Sequence, residues 1–132
     1  MPDRLAARID ATRDALIRIA WIHSFDVLSE RVLEGIGLLR IRALLVNGDI
    51  LYLLERFEET DGRIAVGKYS FHWQRADGSL IRRWDNAPHH PEITSFPNHL
   101  HEGDENHVLA HEAVDVFQVL ESIEKVLAEQ AA

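Results

Sequence analysis

The sequence predicts an α+β fold: an antiparallel meander of four to five strands, an N-terminal helix, a C-terminal helix and a long His/Pro-rich loop. Three observations carry it. Apolar residues recur at helical spacing near both ends of the chain. Asn47-Gly48, Asp61-Gly62 and Asp77-Gly78 each sit between β-like runs, and such dipeptides supply the positive-φ residues that tight hairpins require. Residues 86–111 hold three of the four prolines and six of the eight histidines, with no clear period. A chain of 132 residues is about one domain's worth. One domain over 1–132 is therefore expected, with a helix over 3–20, a sheet over 22–85, a loop over 86–111 and a helix over 112–128.

The first helix rests on Leu5, Ile9, Leu16 and Ala20, with Arg4, Arg8, Arg13 and Arg18 on its other faces. Trp21 to Leu28 is β-branched and aromatic enough to add a fifth strand. The clear runs are 36–46, 50–58, 63–74 and 80–85. Leu39, Ile41, Ala43 and Leu45 form one apolar row and Tyr69, Phe71 and Trp73 another, so both face the core. Arg40 and Arg42, and Lys68, Ser70, His72 and Gln74, occupy the opposite rows. That face is polar with a basic bias, which an antiparallel sheet can leave to water or to a ligand. Structureless loops longer than about 12–15 residues are uncommon and usually functional or disordered. Ile93, Phe96 and Leu100 are expected to pin this one down. Ala113, Val116, Phe117, Leu120, Ile123 and Leu127 give the last helix its apolar stripe.

Composition excludes several classes. Hydrophobic residues at 46% and charged residues at 27% rule out wholesale disorder, collagen and coiled coil. There is no cysteine, hence no disulfide, thiolate nucleophile or Cys-based metal site. No apolar run approaches the roughly 18 residues of a membrane span, and the N-terminus lacks a signal-peptide core. A cytoplasmic protein without membrane attachment is expected. The net charge is −8, but residues 102–132 alone carry eight acids against Lys125. The stretch 63–83 has five bases and one acid, Asp77, so a polyanionic partner of the body is compatible with the total.

Histidine can give and take protons near neutrality, and paired imidazoles can divide those roles. His89, His90, His99 and His101 are the candidate catalytic residues for RNA cleavage. One imidazole would deprotonate a 2′-hydroxyl and another would protonate the leaving oxygen. Arg82 and Arg83 are candidates to hold the phosphate, with Lys68 and His72 beside them. No cofactor and no metal is expected in this reading. The second reading is metal binding: His99-x-His101 in an extended segment projects both imidazoles to one side, and His89, His90 or Asp85 could complete a site. No named zinc pattern is present. His111-Glu112-Ala113-Val114-Asp115 begins like H-E-x-x-H but ends in Asp. Gly35-x-Gly37 lacks the context of a dinucleotide fingerprint, and neither a P-loop nor a G-x-S-x-G elbow occurs.

Tyr69-Ser70-Phe71-His72-Trp73-Gln74, Leu80 through Glu92 and Ser95-Phe96-Pro97 together resemble the TumE family, over roughly residues 36–128. Asn98 and Leu100 stand where that family's block usually has His and Lys. The resemblance implies the toxin half of a toxin–antitoxin pair and a helix-turn-helix antitoxin as partner. The leading expectation is a toxin acting on RNA. The alternatives are a non-catalytic protein-binding module and a metal-dependent hydrolase using the His cluster.

Overall fold

The structure, a computed structural model, describes residues 3–131. Met1, Pro2 and Ala132, which the single-domain expectation includes, lie outside the described residues. The order is α1 (Arg4–Arg18), β1 (Ile22–Leu33), β2 (Ile36–Leu45), β3 (Ile50–Thr60), β4 (Arg63–Gln74), β5 (Leu80–Asp85), β6 (His99–Glu102), β7 (Val108–Ala110) and α2 (Val116–Ala131). All strands belong to one antiparallel sheet ordered β1-β2-β3-β4-β5-β6-β7. The α+β class, the meander and the flanking helices are as expected.

The strand count is where the structure differs. The Ile22 segment joins the sheet and runs on to Leu33, turning through Glu34-Gly35 with Gly35 at φ 70°. Residues 86–111 are not one loop, because β6 and β7 lie inside them and extend the sheet beyond β5. β6 escapes a pattern reading because both of its faces are covered: His99, Leu100 and His101 are all buried, so polarity does not report the pleat. The three expected hairpins form. At Asp61-Gly62 both residues take positive φ, 52° and 75°, as a two-residue turn matched to strand twist demands.

The apolar rows meet in register. Ile41, Leu53, Phe71, Trp84 and Leu100 are successive cross-strand neighbours from β2 to β6, and all five are buried. Both helices cover this face. α1 begins at the N-cap Asp3, whose carboxylate accepts from the Leu5 and Ala6 amides, and it buries Leu5, Ile9, Thr12 and Leu16. The helix ends at Arg18, so Ala20 of the expected stripe falls outside it and is exposed. α2 starts at Val116, later than position 112. The Gln118 amide donates to Asp115 and the Asp115 amide to the Gln118 side chain, both at 2.9 Å, a reciprocal cap that fixes the start. His111 thus lies before the helix, its N–H donating to Ser95 Oγ at 3.0 Å. α2 buries Val116, Val119, Leu120 and Ile123, whereas Ala113 precedes it and Phe117 is half-exposed. Among the described residues, no helix is long and apolar enough to cross a membrane.

Candidate functional site

The helices cover one face of the sheet, and the other face collects the chemistry. Strand alternation and register generate two rows there. One runs Arg42, Tyr52, His72, Arg83, His101, and the next runs Arg40, Leu54, Ser70, Asp85, His99, each residue opposite the one before it. Arginines stand at β2 and imidazoles at β6, and the rows run on to Asp26 and Ser29 of β1 and to Val108 and Ala110 of β7. Tyr52 lies between an Arg42 guanidinium, 6.0 Å from its ring, and His72, whose ring is 6.1 Å away. His72 Nε2 bonds Gln74 Oε1 at 3.0 Å. Leu28, Arg40, Tyr52, Leu54 and Ser70 line a shallow hollow on this face.

At the imidazole end, Asp85, His99 and His101 are 7%, 2% and 4% exposed. His99 Nδ1 lies 2.8 Å from Pro97 O, and His101 Nδ1 lies 2.8 Å from Glu105 O. A carbonyl only accepts, so both Nδ1 atoms carry the proton and both rings turn Nε2 inward. Those Nε2 atoms meet one carboxylate: His99 Nε2 is 2.9 Å from Asp85 Oδ1, and His101 Nε2 is 3.7 Å from Asp85 Oδ2. Burial is the main force holding His101 below the usual imidazole range, with the Arg83 cation adding to it. Arg83 closes the site from outside. Its Nε donates to Asp85 Oδ2 at 3.1 Å, one Nη2–H points at His101 Nε2 at 3.3 Å, and the guanidinium grips both Glu105 oxygens.

The segment between β5 and β6 is held by side chains rather than by a core of its own. Asn86 accepts from the Tyr69 amide at 3.0 Å and donates to Gly67 O at 2.6 Å. Asn98 accepts from the Tyr69 hydroxyl at 2.8 Å, and burial pushes that phenol up to about 12. Ser95 Oγ donates to Asn98 O at 2.6 Å. Of the three apolar anchors expected here, Leu100 enters the core on β6, Ile93 is half-buried and Phe96 stays exposed.

The structure thus brings together His90, His99, His101 and Arg83. The His90 ring centroid is 5.5 Å from that of His99 and 6.0 Å from that of His101, and the last two are 4.9 Å apart. His90 is partly exposed and takes a positive φ of 59°. His89 is exposed at the outer end, 6.5 Å from His90. Arg82 is not brought in. It sits opposite Trp73 and Glu102 on the other side of the strand, and pairs with Glu102 at 3.3 Å. Lys68 is exposed in the bulge of β4, against Asn86, Ala87 and Pro88. Asp85, which the sequence offered only as a possible third ligand in the metal-binding reading, is the central group, and its two-residue offset from Arg83 on a strand puts both on one face. Glu105 and Tyr52 had no local signal.

A family model described as toxin TumE matches residues 8–131, nearly the whole chain. The chain belongs to the TumE family. It is a toxin component, and its family implies an antitoxin partner. Comparison with curated proteins gave no match, and neither did comparison with solved structures.

Proposed function

We propose that this toxin acts on RNA, laying it across the open sheet face with the Asp85, His90, His99 and His101 cluster as the reactive end. The observation that carries the reading is the convergence of these rings beside Arg83, in rows that also carry Arg40 and Arg42. Guanidiniums along the path suit a phosphate backbone, and Tyr52 offers a ring for base stacking. The charge asymmetry is favourable too. The acids of α2 (Glu121, Glu124 and Glu129) belong to the helical layer, on the far side of the sheet from Arg40, Arg42 and Arg83. In this reading Arg83 holds the phosphate at the reacting bond. His90 is the accessible imidazole, and the buried pair with Asp85 sets the field behind it. His89 and Lys68 reach the substrate outside the cluster. Arg82, facing the other way, has no part.

A non-catalytic binding module predicts buried, hydrogen-bonded rings with no shared cleft; His99 and His101 are buried and hydrogen-bonded, but they converge with His90 beside Arg83, which supports the reactive reading. The antitoxin is proposed to be a helix-turn-helix protein, and the pair to work in the cytoplasm; identifying the adjacent gene tests the first point. The functional test is expression of the chain alone and with its neighbour, scoring growth and total RNA. Growth arrest with fragmented RNA is expected, abolished by H90A or R83A. Arrest with intact RNA, or full activity in both variants, rejects the reading.

A further inference from the structure

His99 Nδ1 lies 2.8 Å from Pro97 O, so Nδ1 carries a proton and Nε2 is the nitrogen turned toward Asp85 Oδ1, 2.9 Å away. His101 repeats the arrangement, with Glu105 O behind it and Asp85 Oδ2 in front. Two imidazole nitrogens thus converge on one buried carboxylate. Arg83 reaches Asp85 Oδ2 and His101 Nε2, while its bonds to Glu105 keep it at the rim; none of the contacts described for it reaches His99 Nε2.

We infer that Asp85, His99 and His101 form a binding site for a divalent transition-metal ion of the zinc type, with a further coordination position open toward His90. Ligand atoms bonded at about 2.0–2.1 Å in a tetrahedron lie about 3.4 Å apart. The two ring–carboxylate separations, 2.9 and 3.7 Å, straddle that value, and all three donor atoms lie within 4.8 Å of one another. Small rotations suffice to close the set. The outer groups fit as well: an imidazole ligand typically donates its other N–H to a backbone carbonyl or carboxylate, which fixes the tautomer and orients the lone pair. Both rings do so. Two imidazoles and one carboxylate are borderline ligands that suit zinc and its neighbours over magnesium or calcium. Three protein ligands with an open position characterise a reactive rather than a purely structural centre. The donors come from adjacent strands, Asp85 on β5 and both histidines on β6, so the sheet register itself sets the spacing. The inference concerns the cluster of the RNA reading but is tested without RNA, so either can fail while the other stands.

The test uses the untagged full chain, stripped with chelator and titrated with Zn2+ and with Co2+. One equivalent of Zn2+ per chain and the visible bands of tetrahedral Co2+ are expected. In chain carrying 15N-labelled histidine, Zn2+ should displace the ring nitrogens of two of the eight histidines, and this readout needs no variant. D85N and H101A should each weaken binding by about tenfold or more, and H107A/H111A should leave it unchanged. Substoichiometric binding, undiminished affinity in D85N and H101A, or displacement of histidines other than His99 and His101 would each overturn the site.

Discussion

Glu55 links three elements, and its environment makes a prediction that runs against intuition about ion pairs. It lies on β3, only 3% exposed. Arg8 of α1 approaches both carboxylate oxygens at 3.2 Å, and the Val116 amide at the start of α2 donates to Oε2 at 3.1 Å. The Arg8 guanidinium also stacks between the Phe57 and Phe117 rings, at 4.8 and 4.6 Å. Burial nevertheless outweighs Arg8 and the amide. With Asp115 adding repulsion, it pushes Glu55 from 4.5 to about 7. The folded state therefore holds this proton more tightly than the unfolded chain does. The stabilisation is complete below about pH 4.5 and is lost as pH rises towards 7. At 1.36 kcal/mol per pH unit the loss amounts to about 3 kcal/mol. Gln imitates the protonated form, keeping the shape and the acceptor for Val116. E55Q should match the parent near pH 5 and exceed it by about 3 kcal/mol near pH 8, although it removes an ion pair. Urea denaturation across that range, read as the difference between the two chains, isolates Glu55 because the histidines titrate alike in both. With typical urea slopes the midpoints should separate by about 1–3 M at high pH. A parent that gains on E55Q as pH rises would refute the reasoning.

Other outcomes follow from other parts of the molecule. F71A opens a hole in the middle of the five-residue core row and should cost about 3–5 kcal/mol in urea denaturation. D115A removes the reciprocal cap of α2 and should cost about 1 kcal/mol, with D115N recovering most of it. R40A/R42A should leave stability within about 0.5 kcal/mol. It should weaken RNA binding and lower the salt slope by about 1–2, as measured by fluorescence anisotropy at several salt concentrations. Equal salt slopes would remove β2 from the proposed RNA path.

Much of the fold was legible where a local rule operates. Gly48, Gly62 and Gly78 marked turns because only certain residues tolerate their φ, and Leu39 through Leu45 marked a half-buried strand because side chains alternate. β6 was not legible. A four-residue strand with buried histidines has neither apolar alternation nor β-rich composition, and its place depends on pairing with β5 across the intervening segment. The same blindness affected the site. His99 and His101 could be expected on one side of an extended segment and Arg82 and Arg83 on opposite faces, but only the pairing of β5 with β6 decides which arginine meets the imidazoles.

The sequence by itself determined which segments turn, which face of each long strand is apolar, and that imidazoles gather between Pro88 and His101. These are consequences of φ preference, pleat period and composition, all short-range. Tertiary structure decided that Asp85 stands between two Nε2 atoms, that Arg83 joins it and Arg82 does not, and that Arg42 and His101 share one row. Those facts depend on how strands distant in sequence are paired, and a register shift of a single residue would turn every one of these side chains to the opposite face.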